Sequence, residues 1–245
     1  CEQTAKGEGC TKVGVCGKQP DVAALQDLLV YVTAELSFFA KEASKFGPVG
    51  KEINMLAVEA LFHTLTNVDF DPERLKTMIG RVAAERDGLS AKIASKGGNT
   101  SLPGGRALTK PDTAVAGLVK QGETVGFQVV RNEDPDVTSL MHTLIFGLRG
   151  VAAYAYHAAL LGKEDDTVYT FIYEALSEVL ENRLGLGDWL GLVLKCGEIN
   201  LRAMELLDAA NTDTYGHPVP TEVPLGAKKG KAILVSGHDL KDLEE

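Results

Sequence analysis

Basic charge is in short supply in this 245-residue sequence: 25 Lys and Arg face 34 Asp and Glu, a net charge of −9. No Lys/Arg stripe offsets the deficit, which excludes a nucleic-acid-binding surface. The lysines at 228, 229 and 231 form a sparse, solvated group. Familiar catalytic signatures are missing too. There is no Gly-Lys-Ser/Thr phosphate loop, no Rossmann glycine fingerprint, no Ser–His–Asp order and no paired-carboxylate motif. Nucleotide binding and the common hydrolase chemistries therefore have no support. The glycines of GGNTSLPGGRALTKP (97–111) follow no apolar strand and read as a loop. The most apolar window, Leu144 to Gly162, holds Arg149 near its middle and His157 beyond it. Arg costs about 2.5–3.5 kcal/mol at the centre of a spanning helix, so the window reads as a buried helix and no membrane partner is expected. The chain starts on Cys1 and shows no secretory leader, from which a cytoplasmic protein is expected.

What is present is mostly helical. An apolar share of 44% with 24% charged residues suits a globular chain long enough for a real core. Pro20-Asp21 opens a helix with Leu25, Leu28, Leu29, Val32, Leu36 and Phe39 on one stripe, and Gly47-Pro48 closes it. Ile53, Leu56, Ala57, Ala60 and Leu61 mark a second helix. Asp71-Pro72-Glu73 starts a third, carried by Leu75, Met78, Ile79, Val82 and Leu89 and stopped at Gly97-Gly98. A short helix runs from Asp112 to about 121. Asp134-Pro135 opens a long one through Leu140, Leu144, Leu148, Ala152, Ala155 and Ala159, with Gly147 and Gly150 allowing close helix approach. Two more follow near 165–183 and 187–210, the last with a stripe of Leu190, Val193, Leu194, Leu201 and Met204. Three prolines within 211–230 break the pattern. The run KAILVSG (231–237) then reads as a buried parallel strand. One strand makes no sheet, so an α/β domain is expected to continue beyond this chain.

The chemistry gathers at the start. Cys1, Cys10 and Cys16 follow C-x8-C-x5-C in a polar stretch with Gly7, Gly9, Gly14 and Gly17. Three thiolates this close repel one another unless a metal or protonation neutralises them. A disulfide leaves one cysteine odd and needs an oxidising compartment. Zinc would find three thiolates and no nearby His, and an iron–sulfur cluster wants four cysteines. The spacing favours a metal and leaves its identity open. Cys196, inside an apolar helix, reads as a buried structural thiol. His238 follows the expected strand, where α/β sheets collect ligands, although on its own an ordinary surface histidine is the plainer reading. His63, His142, His157 and His217 lack partner motifs and are assigned structural roles.

Several short segments, in order, carry a resemblance. They are CEQTAK (1–6), GCT (9–11), VCGK (15–18), LQDLL (25–29), TLTN (64–67), GLRGVAAY (147–154), TYGHP (214–218) and SGHDLKD (236–242). Together they resemble the N-terminal part of the hybrid cluster protein (prismane protein) family, the hydroxylamine reductases, and the likeness spans the whole chain. It implies a helical first domain followed by Rossmann-like α/β domains. It also implies a 4Fe-4S cubane on a C-x2-C-x8-C-x5-C motif, whose last three cysteines match Cys1, Cys10 and Cys16. His238 matches a histidine ligand of the family's second, hybrid Fe–S–O cluster, whose other ligands come from later domains. The implied reaction is reduction of hydroxylamine to ammonia, or of a related nitrogen oxide such as nitric oxide, with the cysteine cluster as electron entry and a redox protein as donor.

The expected fold is thus mainly α: a multi-helix bundle, then the first strand of a truncated Rossmann-like α/β domain. Residues 1–20 form a cluster-binding segment, 21–225 the helical domain and 226–245 the start of the α/β domain. The chain corresponds to the first third or so of a longer enzyme and is expected to be inactive alone. Two alternatives stand beside this: a fragment of a carbon monoxide dehydrogenase-like metalloenzyme, and a non-enzymatic helical module that binds metal or a redox partner.

Overall fold

A computed structural model describes residues 10, 12–126, 132–235 and 241. Among them are seven α-helices: α1 (Pro20–Ser44), α2 (Lys51–His63), α3 (Pro72–Ser95), α4 (Val115–Glu123), α5 (Pro135–Leu160), α6 (Asp166–Glu181) and α7 (Leu186–Tyr215). A 3-10 turn at Pro103–Gly105 punctuates the loop after α3. No β-strand occurs among the described residues.

The ends form where local chemistry dictates. Asp71 caps α3 by accepting from the amides of Glu73 and Arg74, and Asp134 caps α5 through the amide of Asp136, each followed by Pro at the first helical position. Gly97 ends α3 at φ 73°, its amide donating to the Ala94 carbonyl while that of Gly98 donates to Ile93. This paired Schellman closure requires the left-handed conformation that glycine adopts at little cost.

α1 is the hub. It packs against α2, α3, α4 and α6, while α5 pairs with α7 and is joined to the hub by α2. The stripe Leu25, Leu28, Leu29, Val32, Leu36 and Phe39 is fully buried. So are most of α1's other faces, as expected of a helix enclosed on all sides. Among the described residues α1 alone is long and apolar enough to cross a membrane by length and composition, and 83% of its apolar window is buried inside the protein.

The centre of α1 also buries a charge. Glu35 is paired with Arg86 of α3, and both side chains are almost fully enclosed. Glu35 further accepts from the Thr109 amide at 3.0 Å and hydroxyl at 2.8 Å. Arg86 donates its Nε and Nη2 to Asp87 at 2.9 and 2.8 Å. The network ties α1, α3 and the loop before α4 together.

Two expectations of helix packing fail, for the α7 stripe and for Gly150, and the expected strand is not shown. Most of the α7 stripe lies on the wrong face: Leu190, Leu194, Leu201 and Met204 are 45–65% exposed and Val193 alone of the stripe packs half-buried against the core, while Trp189, Cys196, Ile199, Ala203, Leu206 and Ala210 are buried. α7 carries apolar side chains on two faces, and periodicity cannot say which one meets the core. The expected strand is also not formed over residues 231–235. These residues have no secondary structure, and Ile233 and Leu234 are more than 90% exposed. A strand exists through its ladder partners, and residues 216–235 form no helix or strand. Gly150, expected at a helix contact, faces open space, whereas a Cβ on Gly147 would sit 2.9 Å from the Cys196 sulfur.

Candidate metal centre

Cys1 and His238 lie outside the described residues, so the structure places two of the four expected metal ligands. Cys10 is exposed, Cys16 is half-buried, and the two are not joined in a disulfide. Cys16 sits in a tight turn in which the Gly14 amide donates to the Lys18 carbonyl at 2.9 Å and the Gly17 amide to Gly14 at 2.8 Å. Gly17 has φ 93°, a conformation costly for any residue with a Cβ. A Cβ on Gly14 would fall 3.0 Å from the Cys16 sulfur. The turn therefore uses a missing side chain to seat the sulfur against backbone.

The turn is fastened to one end of the bundle. Lys18 donates to Gln26 in the early turns of α1 at 2.6 Å. Gln26 is buried and passes the link on, donating to the Asp69 carbonyl at 2.8 Å and the His63 carbonyl at 3.4 Å. Asp69 holds the α2–α3 connection through His63 Nδ1 at 2.6 Å and the Asp71 amide at 2.9 Å. The Lys18 ammonium lies 5.6 Å from the centre of the Phe70 ring, within cation–π range. Burial lowers the Lys18 pKa, helped by Arg149 and opposed by Cys16 and Asp27. Four charged or ionisable groups thus share this neighbourhood.

Arg149 comes from the middle of α5 and is 7% exposed. It donates to the Thr64 carbonyl at 3.3 Å, stands 3.9 Å from Asp27 and lies 5.4 Å from the Phe146 ring centre. Burial brings its pKa down to about 10, with Asp27 opposing. In the sequence Arg149 stands out as an obstacle to membrane insertion and as part of the GLRGVAAY segment, and neither gives it a site role. Its inward aim depends on tertiary packing, and an isolated Arg in an apolar helix was the available signal.

Cys196 stands apart from this centre, 5% exposed on α7, and burial pushes its thiol up to about 11. That agrees with its expected structural role. His63 likewise serves the bundle through Asp69, and His217 is exposed. Among the described residues no group of three or more His, Cys, Asp and Glu side chains is arranged to hold a metal.

The sequence matches the model of the Prismane/CO dehydrogenase family over residues 1–245. The chain belongs to that family. It is 60% identical over 245 residues to a hydroxylamine reductase of Syntrophobacter fumaroxidans, covering all of this chain and 45% of that protein. A hydroxylamine reductase of Methanocella arvoryzae is 56% identical over the same span and share. One of Geobacter metallireducens is 42% identical over 259 residues, or 46% of its length. The chain spans a little under half of these relatives, more than the third expected from the resemblance. The donors that are described fit the cofactor class the family implies: thiols suited to iron, one of them seated on a glycine backbone.

Proposed function

We propose that this chain is the cluster-bearing helical part of an iron–sulfur oxidoreductase that reduces hydroxylamine to ammonia, or a related nitrogen oxide such as nitric oxide. The supporting observation is the glycine-seated Cys16 turn fastened to α1, in a chain whose relatives carry the name hydroxylamine reductase. In this reading Cys1, Cys10 and Cys16 hold a 4Fe-4S cubane, and His238 contributes one ligand to a hybrid Fe–S–O cluster completed by the rest of the longer protein. When bound, the clusters supply electrons singly, and two electrons with two protons take hydroxylamine to ammonia and water.

The chain's own residues provide placement. Gly14 leaves room for the Cys16 sulfur, and the Lys18–Gln26–Asp69 relay fixes the turn relative to the first turns of α1. The exposure of Cys10 suits an electron-entry position that a donor protein reaches. A cytoplasmic setting belongs to the same proposal, because a reducing compartment keeps the cysteines available as ligands. The division into 1–20, 21–225 and 226–245 is likewise proposed, with the run at 231–236 pairing as a strand once neighbouring strands are supplied.

The test uses the full-length protein prepared without oxygen. Iron and sulfide analysis, absorbance near 400 nm and hydroxylamine-dependent oxidation of a reduced dye are expected to be positive. Cys10→Ser and Cys16→Ser are each expected to deplete cluster absorbance. A colourless zinc protein would overturn the reading, and nickel with carbon monoxide oxidation would move it to the other branch of the family.

A further inference from the structure

α7 carries a second apolar stripe that the bundle does not use. Leu190, Leu194, Leu201 and Met204 face away from the core, on the side of the helix opposite Trp189, Cys196, Ile199 and Ala203. With Gly187 and Gly197 they fall at 187, 190, 194, 197, 201 and 204, alternating steps of three and four residues. That 3.5-residue spacing makes a seam along which one helix packs lengthwise on another.

The two glycines give the seam its relief. A Cβ at Gly187 or Gly197 would meet nothing within 4 Å, so packing among the described residues does not call for glycine there. Glycine also weakens a helix. Set among large apolar side chains, each glycine leaves a hollow that a side chain from a facing helix fills. The ion pairs Lys195–Glu198 at 2.7 Å and Arg202–Glu205 at 3.0 Å run along the border of the seam. An apolar centre with a charged border is the anatomy of a docking surface.

Size and connectivity select the occupant. Six positions on one helix are few against the roughly 20–30 residues a side that hold two free proteins together. A body joined to α7 by its own chain needs far less, because a flexible linker keeps it at about millimolar effective concentration. Residues 217–235 leave α7 in that manner. They form no helix or strand, and their Val219, Val223, Leu225, Ile233 and Leu234 are exposed. Fully extended they reach roughly 60 Å, and Gly187 lies about 40 Å back along the helix from Tyr215. More than half the length of the hydroxylamine reductases that this chain matches lies outside the matched span.

We propose that the outer face of α7, Gly187 to Met204, is a docking seam for the rest of the longer protein, which lays an apolar helix along it and seats side chains over Gly187 and Gly197. This rests on the reading of the chain as part of a longer protein, and not on the metal it holds. Packing of this kind sets the two helices about 20° apart, and so fixes the angle at which the following part meets the bundle.

The experiment is carbene footprinting of the full-length protein, prepared without oxygen. A photoactivated diazirine labels the side chains that solvent reaches, and mass spectrometry compares each residue with the same residue in urea-unfolded protein. Leu194, Leu201 and Met204 are expected to be labelled at least about fivefold less in the folded protein, as in the buried core of an interface. An open face at 45–65% exposure would give a fall of only about twofold, and that result would overturn the proposal. Light scattering fixes the mass of the same sample, and protection that disappears on dilution from dimer to monomer would assign the seam to a second copy instead. A reagent that couples to lysine and inserts on illumination is expected to link Lys195 to a position beyond residue 245 of the same polypeptide; links confined to residues 1–245 count against the proposal. Gly197→Leu fills one hollow and is expected to raise the labelling of Leu194 and Leu201 about threefold by prying the docked helix away, whereas unchanged labelling contradicts a helix seated there. If that variant does not fold, the wild-type footprint decides. Iron and sulfide are counted in every sample, so a protected seam in an iron-free protein refutes the cluster reading and leaves the docking seam in place.

Discussion

Replacing Arg86 with Met should be among the most damaging single changes in this bundle. The Arg86 and Glu35 side chains are 1% and 0% exposed, and the substitution strands the Glu35 carboxylate with only the Thr109 amide and hydroxyl as donors. Breaking a buried pair by removing one partner costs about 3–5 kcal/mol. At roughly 2–4 °C of Tm per kcal/mol for a chain of this size, the fall is about 6–20 °C. Glu35→Gln should sit at the low end of that cost, because Gln still accepts from Thr109 and Arg86 keeps Asp87. In the double variant Glu35→Leu/Arg86→Met no charge is stranded. The two Thr109 donors then lose their acceptor, at about 1–3 kcal/mol for such a group. The double variant should therefore be more stable than Arg86→Met alone. Thermal and denaturant unfolding followed by circular dichroism would measure the cycle. A loss below about 1 kcal/mol in Arg86→Met, or a double variant as weak as the two single losses combined, would refute the buried-network argument.

Gly150→Ala should stabilise the chain by about 0.5–1 kcal/mol, since it gains helix propensity in open space. Gly147→Ala should cost about 1–3 kcal/mol by overpacking against Cys196; equal effects in chemical denaturation would contradict the α5–α7 packing. Asp165 caps α6, and hydrogen bonds from the Thr167 hydroxyl and amide, joined by Arg202 at 2.6 Å, lower its pKa against the opposing effect of burial, so its contribution is present above the ordinary carboxylate range and disappears as pH falls through the folded value. Asp165→Ala should cost about 1 kcal/mol at pH 7 and much less in acid. At high pH the sign reverses: burial raises the Cys196 thiol to about 11 from an ordinary value of 9.0, so the folded state holds the proton longer than the unfolded chain. Stability should decline from about pH 9 to 11, Tyr169 and Tyr173 should add to the decline because their hydroxyls are also raised by burial, and Cys196→Val should flatten the thiol's share in unfolding titrations.

Legibility in the sequence followed the physics of each signal. Helix starts at Asp71 and Asp134 are readable because cap and proline act through adjacent residues, and the α1 stripe because most of that helix is enclosed. Most of the α7 stripe reads as buried in the sequence yet faces outward, since a second apolar face has the same period as a buried one. The Glu35–Arg86–Thr109 network links residues 51 and 74 positions apart, and no local pattern encodes such a meeting. At the candidate centre the cysteine spacing was plain in the sequence. The relay from Lys18 through Gln26 to Asp69, and the inward aim of Arg149, exist only once α1, α2 and α5 are assembled.

On the proposal that the cysteine segment carries an iron–sulfur cluster, the fastening of its turn sets an order of maturation. α1 makes its helix contacts from Pro20 onward, whereas the described part of the cysteine segment grips the bundle through Lys18 and Gln26. The scaffold can therefore be complete before any iron arrives, unlike a zinc finger, whose fold and metal appear together. Loading then resembles closing a latch on a finished frame. Chelation should open the latch and leave the frame standing, so the helical signal and the cluster colour should vanish at separate points when the protein is stripped of metal and then heated.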